Sequence, residues 1–295
     1  MLEERNVKVI TIGRGSSSDL QWSVEEESFP DYAQLEGVDA VVHLAGENIA
    51  SGDGFLSVLG RWSPAKKQAI LESRVKGTRL IVSSIARLKS KPKLFFSMSG
   101  LGYYGFEDGS SREEEEVKDE SSPMGEGFLA LVCSQWEAEA LKAERVAGMR
   151  TVVARLAVVL SVNGGVVGKL LPIFSVGAGG NIGSGEQSFS WISLKDTIRA
   201  IEYTMENSRL SGVINLCSPN PVDNKTFTSA LGKALNRPAF IPVPTTAALL
   251  AFGQMGKELL LGGQKGVPSK LLKNGFEFKD VDIEACLRDV VSNKL

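Results

Sequence analysis

The chain has 295 residues, with 33 lysines and arginines against 35 aspartates and glutamates and 43% hydrophobic against 23% charged residues, the balance of a globular protein with a substantial core. Three scattered cysteines (Cys133, Cys217, Cys286) and one histidine, His43, exclude a disulfide scaffold and a structural zinc site built from Cys and His. A net charge of -2 without a basic stripe argues against nucleic acid as a partner, and apolar runs such as residues 247–252 fall well short of the roughly 20 residues that span a bilayer.

Residues 7–13 are rich in β-branched side chains and end at Gly13, ahead of the polar loop Arg14-Gly15-Ser-Ser-Ser18; they predict a buried strand that begins almost at the first residue. Residues 19–24 predict a short edge strand. Residues 38–46, apolar on both faces and closed by a glycine, have the pattern of a parallel-sheet strand. Ser63-Pro64 supplies an N-cap and a proline at the first helical position, opening a helix through Ile70, Val75, Leu80 and Ile85. Residues 93–99 predict the next strand, which runs into a glycine-rich turn at 100–105. A polar insertion over 108–122 follows, its acidic run Glu113 to Glu116 reading as a solvated loop. Residues 128–146 predict a long helix, and 151–160 and 213–217 two further buried strands.

Strands alternating with helices of this length predict an α/β fold, a Rossmann-like doubly wound parallel sheet. From Pro221 the chain changes to short helical patterns between proline and glycine turns, the mark of a smaller C-terminal lobe. The expected division is residues 1–160 with 194–217 in the sheet domain, and 161–193 with 218–295 in the small lobe.

Ligands of an open parallel sheet bind outside the carboxyl ends of its strands, so the loops after Gly13, Leu44, Ser97 and Leu160 form the candidate site. The phosphate fingerprint G-x-G-x-x-G does not occur: neither Gly13-Arg-Gly15 nor Gly177-Ala-Gly179 has glycine at the third position. His43, on a strand, reads as a buried and satisfied histidine. Cys133, on a helix with no histidine to activate it, reads as a small core residue.

Several segments together resemble the extended short-chain dehydrogenase/reductases, the NAD-dependent epimerase/dehydratase superfamily. They are Val41-Val-His-Leu-Ala-Gly-Glu-Asn-Ile49, Arg61-Trp62 with Ser73-Arg74, Ser97-Met-Ser-Gly-Leu-Gly-Tyr-Tyr-Gly105, Val132-Cys-Ser-Gln-Trp-Glu137, Gly179-Gly-Asn-Ile-Gly-Ser-Gly-Glu-Gln187, Trp191-Ile192, and Asn215 with Pro219-Asn-Pro-Val222. Within that superfamily the chain is similar to an atypical epimerase-like subfamily that includes a plant plastid-division factor. The match covers nearly the whole chain and is specific as a set.

The resemblance implies NADP as cofactor and an oxidoreductase or epimerase-like activity on a small molecule that the sequence does not identify. The alternative is a non-catalytic nucleotide-sensing or interaction protein, linked to plastid or cell division and carrying a protein partner. The first six residues are too few and too acidic for a targeting peptide, so the expected location is cytoplasm or plastid stroma, without a membrane span. Arg14 stands where a guanidinium would meet a 2′-phosphate, the other reading being a surface arginine at a strand end. Leu44, Ala45 and Gly46 would pass their backbone along adenine and ribose, or simply close a tight turn. Gly13, Arg74, Ser97 and Val158 complete the implied cofactor contacts. Ser99 and Tyr104 are the implied catalytic residues. A serine at this place polarises the substrate oxygen in the superfamily, with Ser99 preferred to Ser97; the other reading is that both hydroxyls satisfy local backbone. Tyr104 would donate a proton if a cation lowered its pKa from about 10, and packing is its competing role. Residues 179–187 resemble a substrate-side loop, with Ser193 where the subfamily has a histidine.

Two departures stand out. Measured against the family, the chain starts inside the helix that follows the first strand and its pyrophosphate-binding glycine loop, about two dozen residues in. That strand is central in the family, between the strands at 7–13 and 38–46, so these two are expected either to pair directly or to stand across a gap, with marginal stability. The second departure is that the superfamily's Tyr-x-x-x-Lys falls on Leu129 and Cys133, and a leucine cannot donate a proton.

Overall fold

The computed structural model describes residues 7–29, 32–51, 61–107 and 116–293. The expectation for Glu113 to Glu115 lies outside them; Glu116 is exposed and pairs with Lys118 at 2.7 Å.

Residues 7–13 yield a strand of two residues, β1 (Ile12–Gly13), in parallel register with β2 (Leu20–Gln21). After β3 (Ala40–His43) comes α1 (Pro64–Ile85), where Ser63 Oγ accepts from the Lys66 amide at 3.0 Å as the Ser-Pro pattern predicts. β4 (Leu94–Gly100) leads into a 3₁₀ turn at Leu101–Tyr104, and β5 (Val117–Lys118), α2 (Phe128–Ala147) and β6 (Arg150–Leu156) follow. Then come β7 (Val158–Leu160), α3 (Gly165–Ser175), β8 (Ser188–Phe189), β9 (Trp191–Ser193), α4 (Leu194–Glu206) and β10 (Gly212–Leu216). The chain ends with β11 (Val222–Asp223), α5 (Asn224–Ala234), α6 (Thr245–Phe252), α7 (Gln254–Gly256) running into a π-helical turn at Lys257–Leu261, β12 (Lys265–Gly266), α8 (Ser269–Lys273) and α9 (Ile283–Asn293).

The main sheet is parallel in the order β10-β6-β4-β3. Among the described residues β3 has no ladder partner on its other side, and β1 with β2 forms a separate pair. The two strands at 7–13 and 38–46 are therefore not paired with each other among the described residues. Residues 151–160 correct the expectation of a single strand. After Leu156 the Ala157 amide still bonds Leu216 O, but the Val158 amide bonds Ser190 O, so β7 leaves the main sheet and pairs with β9.

Alternation along β4 and β6 divides the core between the two faces of the sheet. Phe95 and Val153 pack with Trp22, Ile81, Ile85, Ala140 and Ala143 under α1 and α2. Phe96, Met98, Val152 and Ala154 pack with Ala200, Leu210 and Leu271 on the α4 and α8 side. Phe95 and Phe96 are both fully buried, each contributing about 2–3 kcal/mol. A further cluster joins Leu160, Val167, Phe174 and Trp191 to Phe227, Leu231 and Leu287, with Phe189 stacked on Phe227 at 4.2 Å.

Helix α2 starts after Gly127 without a cap of its own. Glu258, from the π-helical turn, takes that role: its buried carboxylate accepts from the Phe128 and Leu129 amides at 3.0 and 2.9 Å and from Gln254 Nε2 at 2.7 Å. The first-turn amides and the helix dipole both favour an anion there. Glu258→Ala should cost about 1–2 kcal/mol in urea unfolding, with Glu258→Gln less affected; an unchanged midpoint would show the cap to be dispensable.

Candidate functional site

Two loops meet at the carboxyl ends of β1 and β3. Gly13 lies close against Ser18, whose Oγ would have to turn aside for an added Cβ 2.3 Å away. The Arg14 side chain is 71% exposed, and its partner, Glu47 on the loop after β3, is 3.9 Å away. Glu47 is held more closely by Lys66 Nζ at 2.7 Å, whose hydrogen bond is the main reason the Glu47 carboxyl lies below its usual range. Helix α1 fixes the rest of this loop. Ser73 Oγ accepts from the Glu47 amide at 3.0 Å, Arg74 Nη1 donates to Glu47 O at 3.0 Å, and Trp62 Nε1 donates to Ile49 O at 2.8 Å. The Arg74 guanidinium lies over the Trp136 ring and fills the space where a Cβ on Gly46 would be, 3.0 Å from that point. Arg74 thus serves as the inner support of the loop. Leu44 is 58% exposed and, with Ala45 and Gly46, leaves an open strip of backbone beside Arg14.

His43 lies beneath this strip, buried among Trp22, Phe95 and Trp136, with Nε2 3.0 Å from Thr78 Oγ1. Burial, with the Arg74 charge second, pulls its pKa down to about 4. The unfolded chain therefore binds the proton first. Stability should be full above about pH 6.5 and fall by up to about 3 kcal/mol as the pH drops to about 4. Unfolding free energies measured across that window should show a shallower slope for His43→Gln, and identical slopes would remove His43 from the account.

At the end of β4 the hydroxyls are already engaged. Ser97 is fully buried and its Oγ donates to Met98 O at 3.2 Å. Ser99 Oγ donates to Glu137 Oε1 at 2.7 Å. Glu137, on the buried face of α2, takes a two-pronged bond from Arg155 on β6, Nε to Oε1 at 2.9 Å and Nη2 to Oε2 at 2.8 Å. Arg155 Nη1 donates to the Tyr104 hydroxyl at 2.9 Å, and that hydroxyl faces two acceptors, Asn215 Oδ1 at 2.7 Å and Asp119 O at 2.8 Å. Asn215 Nδ2 in turn bonds Lys118 O and Val267 O. The Tyr103 ring lies under the Arg155 guanidinium at 3.3 Å.

Burial works against the Arg155 charge, but the hydrogen bonds and charge of Glu137 outweigh it and leave the pKa raised. Burial pushes the Tyr104 phenol up to about 12, although Arg155 opposes the rise. Burial, reinforced by the Glu137 charge, pushes the neighbouring Cys133 thiol up to about 11. Sequence reasoning passed over Glu137 and Arg155 as site residues. The available signal was an arginine inside an otherwise apolar buried strand, since such a charge needs a buried partner.

Ser97, Ser99 and Tyr104 thus sit with Arg155 and Cys133 at the ends of β4 and β6, while Gly13, Arg14, Leu44, Ala45, Gly46 and Arg74 gather at the ends of β1 and β3. Val158, two residues past the end of β6, pairs with Trp191 in the β7-β9 ladder rather than in the main sheet. In the 179–187 loop, Gln187 Nε2 ties Ile182 O and Leu260 O together, and Ser193 caps α4 by accepting from the Asp196 amide. Among the described residues no group of three or more His, Cys, Asp or Glu is placed to hold a metal, and no helix is long and apolar enough to cross a membrane.

Residues 1–217 match the NAD dependent epimerase/dehydratase family, and residues 243–290 a domain of unknown function, DUF1731. An epimerase family protein of Mycobacterium bovis is 39% identical over 272 residues, covering 92% of this chain and 84% of the relative. The chloroplastic SDR39U1 homolog of Arabidopsis thaliana, also an epimerase family protein, is 37% identical over 259 residues, covering 87% of this chain and 70% of the relative. The crystal structure of human epimerase family protein SDR39U1 (isoform 2) with NADPH superposes with a TM-score of 0.84 at 32% identity, covering 99% of this chain and 93% of the other. With a family match across most of its length and relatives above 30% identity over most of theirs, the chain belongs to the NAD dependent epimerase/dehydratase family.

Proposed function

We propose that the chain binds NADP(H) with Arg14 on the 2′-phosphate and acts as an oxidoreductase or epimerase-like protein on a small molecule. The observation that carries this reading is the exposed Arg14 beside an open backbone strip. Its pair with Glu47 is long and solvated, worth no more than about 1 kcal/mol, and Lys66 already compensates Glu47, so a phosphate can take Arg14 at little cost. The residues fit the adenosine end: Arg14 for the phosphate, Leu44 to Gly46 for adenine and ribose, Arg74 as support. The human relative's structure with NADPH supports the same cofactor.

When bound, the nicotinamide supplies or accepts a hydride. The chain's own groups supply little proton chemistry. The Ser99 proton is committed to Glu137, the Tyr104 proton to acceptors on Asn215 and Asp119, and Tyr104 and Cys133 both hold their protons far above neutral pH. That arrangement favours, as a second reading, a nucleotide-sensing or interaction protein that binds without turnover. The test is NADPH titration, followed by the loss of reduced-nicotinamide absorbance with a panel of small carbonyl compounds. Consumption of NADPH, or interconversion of epimers without net consumption, supports the first reading, and binding with neither supports the second. Failure to bind NADPH or NADH would contradict both.

A further inference from the structure

Away from the sheet ends, α5 and the segment after it line an open surface cavity of about 690 Å³, within the range of small-molecule pockets. Lys225, Ser229 and Lys233 fall at i, i+4 and i+8 on one face of α5, and Arg237 closes the end of that stripe. The opposite wall is apolar and ends in Phe240, 74% exposed. The walls are rigid. Asn236 holds a left-handed turn at φ 51°, the Arg237 amide bonds Gly232 O at 2.9 Å, and Arg237 Nε bonds Ser175 O at 2.8 Å. No carboxylate lines the cavity; Glu284, outside the lining, pairs with Lys233 at 2.5 Å. Thr228 is 5% exposed, yet its hydroxyl has no hydrogen-bond partner among the described residues, not even the carbonyl one turn back that helical threonines usually take. A hydroxyl that reaches a cationic cavity without a protein partner can donate to, or accept from, a ligand held there.

We propose that this cavity binds an organic phosphate carrying a planar ring, a mononucleotide in chemical class, with the phosphate between Lys225, Lys233 and Thr228 and the ring against Phe240. The site is separate from the cofactor cleft and does not depend on the assignment of Arg14. The probe is adenosine 5′-monophosphate, titrated calorimetrically into the full chain, with inorganic phosphate and a glutamate-rich peptide in parallel. Lys225→Ala should weaken binding about tenfold, and Phe240→Ala by at least about fivefold. Thr228→Val should weaken it several-fold without lowering the melting temperature, because the hydroxyl supports nothing inside the protein. Arg14→Ala should leave this binding unchanged. Several results would overturn the proposal: no binding, binding that tracks Arg14 rather than Lys225, inorganic phosphate binding as tightly as the nucleotide, or binding of the peptide alone.

Discussion

Arg155→Met should cost about 3–5 kcal/mol of stability, a large share of the 5–15 kcal/mol that holds a typical domain. The substitution keeps the volume but strands the Glu137 carboxylate, 5% exposed, with only Ser99 donating to it. It also removes the donor to the Tyr104 hydroxyl and the cation over Tyr103. Glu137→Leu should be similarly harmful for the mirror reason, an unpaired buried guanidinium. The double variant should be less destabilised than either single one, because replacing a buried pair with apolar side chains leaves no uncompensated charge. Urea unfolding of the three variants measures this directly. Additive losses would show that the pair is not the coupled unit its geometry describes.

Arg14→Ala should remove a preference for NADPH over NADH of roughly 10- to 150-fold, the equivalent of one charge-assisted contact of about 1.5–3 kcal/mol. NADH binding should change little, since a free 2′-hydroxyl gives a guanidinium no charged partner. The preference should also shrink with added salt, because Arg14 is 71% exposed. Calorimetric titration of both cofactors into the chain and into Arg14→Ala separates lost phosphate recognition from a general loss of affinity. A variant that keeps its preference would place the 2′-phosphate on another residue.

Much of the fold was legible in the sequence because local chemistry decided it. Ser63-Pro64 opens α1 through a hydrogen bond that the residue types themselves specify. The apolar runs at 38–46, 93–99 and 151–160 contain or overlap the neighbouring strands Ala40–His43, Leu94–Gly100 and Arg150–Leu156 of one parallel sheet. The division of 151–160 at Ala157 was not legible, since both halves are equally apolar and β-branched. What separates them is the switch of backbone partner from β10 to the segment around β9. The site was legible in its exposed part, Arg14 and the strip at 44–46, and less so in its buried part. Arg155 carried its own warning as a charge in a buried strand, but its partner lies 18 residues away on another element, and only packing brings the two together. Glu258 reads as one acid in the apolar run Lys257-Glu-Leu-Leu-Leu261, and its role at the start of α2 depends on a contact across 130 residues.

The measurement that bears most directly on the account is the affinity of the chain, carrying Lys225→Ala, for two fragments of the cofactor, adenosine 2′,5′-bisphosphate and adenosine 5′-monophosphate. These fragments lack the nicotinamide and most of the pyrophosphate, so they report on Arg14 and the strip at residues 44–46. Titration in the Lys225→Ala background keeps the second cavity from contributing. The account predicts roughly 10- to 150-fold tighter binding of the bisphosphate, lost in Arg14→Ala. Equal affinity for the two fragments would contradict it.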